Sequence, residues 1–311
     1  MKTILNMKLE KIFQRSLGIS PNENVLIITD KLKLPIAKKV LTACKNISKN
    51  ARIVVKPMGS RSGEEPPKGI AEMMKKYDVV IGLTTHSLTH THARKNACKL
   101  GVRIATMPGF TEKMWGTLEA DPYLLKEAGE KIREFLKDGK KMIVMTESGT
   151  SISFSKESRM VDIDEGLYTK KGNFGNLPAG EVSFARLENT ANGVIVIDSM
   201  EDYAKPGTNV LVKDGKAVSI SDKNCKLAKT FESVKNSRNI AELGIGTNPK
   251  AKLIGNILQD EKCKGTVHIA FGSNISYGGK VYSPFHLDAI LLKPTVYVDD
   301  KCLMKNGKLL I

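Results

Sequence analysis

The segment Val25-Leu-Ile-Ile-Thr-Asp30 is a short apolar run that ends in polar residues. Such a run is typical of a strand buried in a parallel sheet. Similar runs alternate with segments of helical spacing along the first half of the chain. The further predicted strands cover residues 52–56, 78–83, 102–106 and 142–145. The predicted helices cover residues 1–18, 34–44, 69–76, 92–100 and 121–137.

This alternation predicts an α/β domain over residues 1–147, with a doubly wound, mostly parallel sheet and helices on both faces. The pattern changes from about Gly149, where strands become short and turn pairs such as Asp214-Gly215 multiply. Residues 193–198 and 209–212 are predicted antiparallel strands, and residues 225–237 a helix. We therefore expect residues 148–311 to form a catalytic α+β domain with antiparallel strands.

Composition and charge exclude several classes of protein. Hydrophobic residues make up 41% and charged residues 26% of the chain, which indicates a folded globular protein. The net charge of +16 would attract nucleic acid, but the lysines are dispersed and no aromatic residues interleave with them, so nucleic-acid binding is not expected. The five cysteines form no CxxC pair, which argues against disulfides and thiolate zinc sites. Without a membrane-length apolar run or a secretory signal, the expected location is cytoplasmic.

Acidic and imidazole side chains recur beside glycines in the second half. The four segments are Asn176-Leu-Pro-Ala-Gly-Glu-Val182, Ala241-Glu-Leu-Gly-Ile-Gly-Thr-Asn-Pro249, Gly265-Thr-Val-His-Ile-Ala-Phe-Gly272 and Ser283-Pro-Phe-His-Leu-Asp288. They contain Glu181, Glu242, His268, His286 and Asp288. In a strand, His286 and Asp288 would point to the same face and could bind one cation together.

Imidazole nitrogen and carboxylate oxygen are ligands of divalent Zn, Co, Mn or Fe. Each of the five residues alone is also compatible with a surface carboxylate or a core histidine, so the prediction of a metal site depends on the whole set. Three carboxylates and two imidazoles favour a pair of metals, and two metals can activate a water and polarise a carbonyl together. We therefore expect one or two divalent ions in an amide hydrolase.

The four blocks, in this order, resemble the aminopeptidase T family of thermophilic metallopeptidases. The resemblance covers most of residues 150–311 and extends to Ser87-Leu-Thr-His-Thr91 and Arg103-Ile-Ala-Thr-Met-Pro-Gly109. It implies that Glu181, Glu242, His268, His286 and Asp288 are the metal ligands and that Tyr277 faces the reacting centre. It further implies a homodimeric hydrolase, a metalloprotease that removes the N-terminal residue of small peptides through a metal-activated hydroxide. The resemblance is to a short member of that family.

The C-terminal half also resembles 2,5-dihydroxypyridine dioxygenase, which cleaves an aromatic ring. This alternative implies one ferrous ion bound by His268, His286 and Asp288, with a small aromatic molecule as substrate. The additional carboxylates Glu181 and Glu242 favour the hydrolase, because they suit a second metal.

A separate histidine cluster, His86, His90 and His92, follows the predicted strand at residues 78–83. In doubly wound sheets, ligands bind beyond the carboxyl ends of strands. His86 and His90 are therefore candidates for substrate binding. The competing interpretation is a polar loop in which Thr89 or Thr91 caps the next helix.

Overall fold

The structure, a computed structural model, describes residues 4–311, so residues 1–3 of the first predicted helix lie outside the described part. The helices are α1 Ile4–Leu17, α2 Leu34–Ile47, α3 Lys68–Met74, α4 His92–Lys99, α5 Pro122–Leu136, α6 Lys226–Ser233 and α7 Ile257–Asp260. Short 3-10 helices cover Glu112–Glu119 and Ile275–Tyr277. No helix within residues 4–311 is both long and apolar enough to span a membrane.

The strands are named in chain order. They are β1 Val25–Thr29, β2 Ala51–Val55, β3 Val79–Leu83, β4 Arg103–Thr106, β5 Lys141–Met145, β6 Ser151–Ser155, β7 Asp162–Asp164, β8 Phe174–Asn176, β9 Glu181–Ala185, β10 Asn192–Ile197, β11 Thr208–Lys213, β12 Lys216–Ile220, β13 Ile240–Gly246, β14 Thr266–Gly272, β15 His286–Leu292, β16 Thr295–Val298, β17 Lys301–Lys305 and β18 Lys308–Leu309. The chain divides into two compact units, one formed by residues up to 122 with 164–179 and the other by 123–163 with 180–311.

The first unit contains a five-stranded sheet in the order β2-β1-β3-β4-β8, and all of its pairings are parallel. Every residue of β1 and β3 is buried, which is why both strands are continuous apolar runs rather than alternating ones. Helices α3 and α4 pack on one face through Ile70, Met74 and Ala97. The prediction of a parallel α/β sheet is confirmed.

The second unit contains an eight-stranded sheet in the order β12-β11-β10-β6-β5-β16-β17-β18 and a five-stranded sheet in the order β15-β14-β13-β9-β7. Side chains from both sheets and from α5 form one core, which includes Val144, Phe184, Ile195, Leu243 and Ile269. The predicted C-terminal domain with antiparallel strands is therefore present.

Two strands differ from the sequence prediction. The predicted strand 142–145 is β5, and it pairs antiparallel with β6 and β16 in the second unit rather than extending the parallel sheet. The fifth parallel strand is instead β8, a three-residue segment with the sequence Phe-Gly-Asn. Such a segment carries no apolar run by which it could be recognised. A domain boundary at residue 147 stays a prediction, and the compact units divide at other residues.

Candidate metal centre

The predicted ligands lie on one face of the five-stranded sheet. Along β14, Val267, Ile269 and Phe271 enter the core, so the alternating His268 points to the opposite face. The same alternation holds in β9, β13 and β15, where residues next to each ligand enter the core. The side chains placed on the face opposite the core are Glu181, Glu242, His268, His286 and Asp288.

Small residues between the strands leave room for these side chains. Glu242 and Asp288 both pair with Ala270, from its two sides, so that the two carboxylates flank a methyl group. His268 pairs with Gly244, and His286 pairs with Gly272. Gly244 therefore has a spatial role, because the imidazole of His268 fills the volume in which a side chain at this position would begin, whereas a β-carbon on Gly272 would meet the backbone carbonyl of Phe285.

The five side chains form one continuous group. Nε2 of His268 lies 3.5 Å from Oε2 of Glu181 and 4.0 Å from Oε1 of Glu242. Nε2 of His286 lies 3.3 Å from Oε2 of Glu242 and 3.7 Å from Oδ1 of Asp288. Glu242 thus lies between the two imidazoles, and the residues predicted from separate blocks of sequence converge in space.

His286 and Tyr277 are held together at one end of the group. Nδ1 of His286 donates a hydrogen bond to the carbonyl oxygen of Ser273 at 2.8 Å, which leaves Nε2 facing the carboxylates. The ring of Tyr277 stacks on the imidazole of His286 with 5.2 Å between centroids. Tyr277 therefore lies beside the candidate metal centre.

Burial and mutual charge shift the pKa values of several groups. Burial raises the pKa of Glu242, and the nearby His286 lowers it only in part. Burial disfavours the charged form of His286, but Asp288 and Glu242 outweigh it and raise the pKa of that imidazole to about 10. Burial raises the pKa of Tyr277 well above its usual value, and the carboxylates of Glu242 and Asp288 raise it further. At neutral pH the phenol of Tyr277 is therefore protonated.

Several buried polar atoms of the group fit a cation. Among the residues that the structure describes, Oε2 of Glu181, Oε2 of Glu242 and Oδ1 of Asp288 are buried and take part in no hydrogen bond. Buried carboxylates without a donor are costly, and a divalent ion is the partner that such a set of oxygen atoms suits. The donor set therefore fits a divalent metal.

Glu261 and Lys262 also belong to this region, although no sequence pattern indicates them. Nζ of Lys262 lies 2.5 Å from Oε1 of Glu181 and 2.7 Å from Oε1 of Glu261. Burial raises the pKa of Glu261 well above its usual value, although Lys262 opposes this shift. In the sequence the two residues belong to the charged run Asp260-Glu-Lys-Cys-Lys264, which is typical of a solvated loop.

The histidines of the first unit lie in the segment between β3 and α4. Thr91 caps α4, and its side chain accepts a hydrogen bond from the backbone N–H of Arg94 at 3.2 Å. The prediction of a capping threonine is confirmed. His92 is the first residue of that helix, whereas His86 and His90 lie in the preceding loop. A role of His86 and His90 in substrate binding stays a prediction.

The family of the chain follows from its similarity to known proteins. The profile of NicX, described as 2,5-dihydroxypyridine 5,6-dioxygenase, matches residues 8–311. The chain belongs to this family. No curated protein sequence matches the chain significantly.

Two solved structures have the same fold. The 2,5-dihydroxypyridine dioxygenase of Pseudomonas putida KT2440 superposes with a TM-score of 0.83 at 17% identity, over 98% of this chain and 96% of that one. Wild-type AmpT of Thermus thermophilus superposes with a TM-score of 0.69 at 14% identity, over 99% of each chain. The predicted relationship to aminopeptidase T is thus confirmed for the fold.

The predicted activity of a metallo-aminopeptidase is wrong. The match to the NicX dioxygenase family over residues 8–311 contradicts a hydrolase, a metalloprotease and a peptide substrate. The hydrolase prediction depends in part on Glu181 and Glu242 as ligands of a second metal. Their role as ligands stays a prediction, and in the structure Glu181 is paired with the ammonium group of Lys262. The expected homodimer stays a prediction.

Proposed function

We propose that this chain is a ring-cleaving dioxygenase of a dihydroxylated pyridine, with one ferrous ion bound by His268, His286 and Asp288. The observation that carries the proposal is the group of Glu242, His286 and Asp288 on one sheet face, with His268 on the other side of Glu242, in a chain of the NicX family. Two histidines and one carboxylate form the ligand set of non-haem Fe(II) oxygenases. Zn, Co and Mn also accept such ligands, but Zn has no redox chemistry with which to activate dioxygen.

A ferrous ion bound here would supply the redox chemistry that lets dioxygen react with an aromatic ring. Both atoms of dioxygen enter the product as one carbon–carbon bond of the ring breaks. The reaction therefore balances without an external reductant.

The surrounding side chains orient the ligands and hold protons. The carbonyl of Ser273 fixes the tautomer of His286, so that Nε2 faces Asp288 and Glu242. Glu242, whose pKa burial raises, is placed to take a proton from a hydroxyl group of the substrate. Tyr277 keeps its proton and is placed to donate a hydrogen bond to the oxygen of a hydroxyl group on the substrate ring.

The loop before α4 supplies two further candidates. His86 and His90 lie beyond the carboxyl end of the parallel strand β3, where doubly wound sheets bind ligands. We retain both residues as candidates for substrate binding. Replacing either by alanine should then raise KM for the ring substrate without changing the iron content.

The proposal is tested by oxygen uptake after anaerobic loading of the purified chain with Fe(II). With 2,5-dihydroxypyridine as substrate, we expect uptake of one dioxygen per ring consumed, followed from the loss of the ring absorbance. Asp288→Asn should abolish both the uptake and the binding of iron. Asp299→Asn, in an exposed turn, is the matched control and should retain them.

A chain that binds one iron per molecule but consumes neither dioxygen nor any dihydroxypyridine would contradict the proposal. An amino-acid anilide should remain intact in the same preparation, because the family assignment predicts no peptidase activity.

A further inference from the structure

The ammonium group of Lys262 lies inside the candidate metal centre rather than at the surface. The side chain is 0% exposed, and Nζ contacts a carboxylate oxygen of Glu181 at 2.5 Å and one of Glu261 at 2.7 Å. A buried ammonium is tolerated when it is paired with carboxylates, as it is here. The three side chains therefore act as one unit.

Two groups at this sheet face, one of which includes Glu261 from the turn after α7, have the composition of a metal site. One consists of Glu181, Glu261 and His268, and the other of Glu242, His286 and Asp288. Within each group, one candidate ligand atom per residue lies within 4.8 Å of the others. By residue type alone, each group could hold a divalent ion. The difference between them is that the carboxylates of the first group already contact a cation of the chain itself.

We propose that Lys262 is a built-in cation that restricts the centre to one metal ion. The ammonium occupies the cation position between Glu181 and Glu261, beside His268, and leaves the group of Glu242, His286 and Asp288 as the position of one metal ion. The inference rests on the proposed function, because it takes one ion to bind at His286 and Asp288.

Sterics and charge both support this exclusion. A metal ion needs carboxylate oxygens at roughly 2.0–2.2 Å. An ammonium nitrogen at 2.5 and 2.7 Å from the same two carboxylates fills nearly the same volume. The positive charges of a metal ion and of the ammonium group would also repel each other strongly if both lay beside these carboxylates in a buried site. A divalent ion and the ammonium of Lys262 therefore exclude each other at this position.

The backbone holds Lys262 in place. Its N–H donates to the carbonyl of Gln259 at 3.0 Å, and its carbonyl accepts a hydrogen bond from the N–H of Asn248 at 2.9 Å. The carboxylate of Asp260 fixes the preceding turn by accepting from the N–H groups of Ile254 and Gly255. Because both the N–H and the carbonyl group of Lys262 are hydrogen-bonded, the backbone is held in place and the side chain keeps its direction towards Glu181.

The test is metal stoichiometry, which does not depend on activity. Wild-type chain loaded anaerobically with excess Fe(II), and separately with Co(II), should retain one ion per chain by elemental analysis after desalting. Lys262→Met, which keeps length and removes charge, should retain two. Lys264→Met is the matched control, because Lys264 is exposed two residues away, and it should retain one.

A Lys262→Met chain that folds normally by circular dichroism and binds only one ion would overturn the inference. If that variant fails to fold, titration of the wild type with Co(II) decides, since saturation at two equivalents overturns the inference and saturation at one supports it. If the wild type binds two ions, the inference about Lys262 is overturned, but the proposed ring cleavage is not. If the wild type binds one ion and does not cleave the ring, the proposed function is contradicted, but the role of Lys262 is not.

Discussion

Gly244 lies directly opposite His268 in the antiparallel pairing of β13 and β14, and a β-carbon on Gly244 would lie 2.0 Å from Nε2 of His268. The imidazole thus occupies the volume in which any other side chain would begin. This glycine is required for close approach by a neighbouring ring, because no left-handed backbone conformation is present at Gly244. The ring position of His268 therefore depends on the absence of a side chain on the adjacent strand.

Gly244→Ala should displace the imidazole of His268 and weaken metal binding by about 10–100-fold, the usual effect of disturbing the support of a ligand. The measurement is a competition titration with a chelator of known affinity. Gly69→Ala is the matched control, because the added methyl group would have no neighbour within 4 Å apart from the adjacent residues and the backbone of its own helix, and it should leave the affinity unchanged. Equal affinities of both variants and the wild type would show that His268 does not depend on this space.

Much of the site could be predicted because each ligand sits in a local pattern. His268 interrupts an apolar strand next to a glycine, and His286 and Asp288 have the two-residue spacing that places side chains on one face. These signals are local in sequence. They identify donor atoms that could meet, but not the other charges that surround them after folding.

Lys262 could not be predicted for this reason. Its role depends on Glu181, which lies 81 positions earlier in the chain, and on the burial of the turn after α7. In the sequence it is one lysine among many dispersed ones. The same contact bears on the choice between hydrolase and dioxygenase, because counting carboxylates indicates two metals, whereas one of those carboxylates contacts a lysine.

Arg186 should be a stability determinant of the second unit. Its guanidinium is buried and donates to the carbonyls of Leu187 and Gly215 and to the side-chain oxygen of Asn239. Burial lowers its pKa to about 10, so it remains charged at neutral pH.

Arg186→Met should lower the free energy of unfolding by about 2–5 kcal/mol, because each buried acceptor left without a donor costs about 1–3 kcal/mol. Urea unfolding followed by circular dichroism measures this change. Arg133→Met, at a largely exposed position, should change it by less than about 1 kcal/mol. A loss for Arg186→Met as small as that of the control would mean that water replaces the missing donors.

Tyr277 allows its ring and its hydroxyl group to be tested separately. Tyr277→Phe keeps the stacking on His286 and removes the phenol, so we expect unchanged iron content and a kcat lowered by roughly 100-fold. Tyr277→Ala removes both and should also weaken iron binding. Steady-state oxygen uptake with elemental analysis distinguishes the two variants. Full activity of Tyr277→Phe would exclude the proposed hydrogen bond to a hydroxyl oxygen of the substrate.

Metal binding should be linked to the proton of His286. Burial opposes the charged imidazole, but the neighbouring carboxylates raise its pKa to about 10, so the metal-free chain carries this proton at pH 7.5. A metal ligand must be deprotonated, and binding should therefore release about one proton per ion from this residue. Calorimetry of Co(II) binding in two buffers of different ionisation enthalpy measures the number released. Binding without proton release would contradict a protonated His286 in the metal-free state.

The same shift has a defined consequence for the stability of the metal-free protein. Because the pKa of His286 is higher in the folded chain than its ordinary value of 6.5, protonation favours folding. This contribution is fully present below about pH 6.5 and is lost as pH rises through about 10. Urea unfolding of chelator-treated protein between pH 6 and pH 10 should show a falling free energy, and His286→Gln should flatten the slope. A stability that rises across this window, in both proteins alike, would show that the proton on His286 is not coupled to folding.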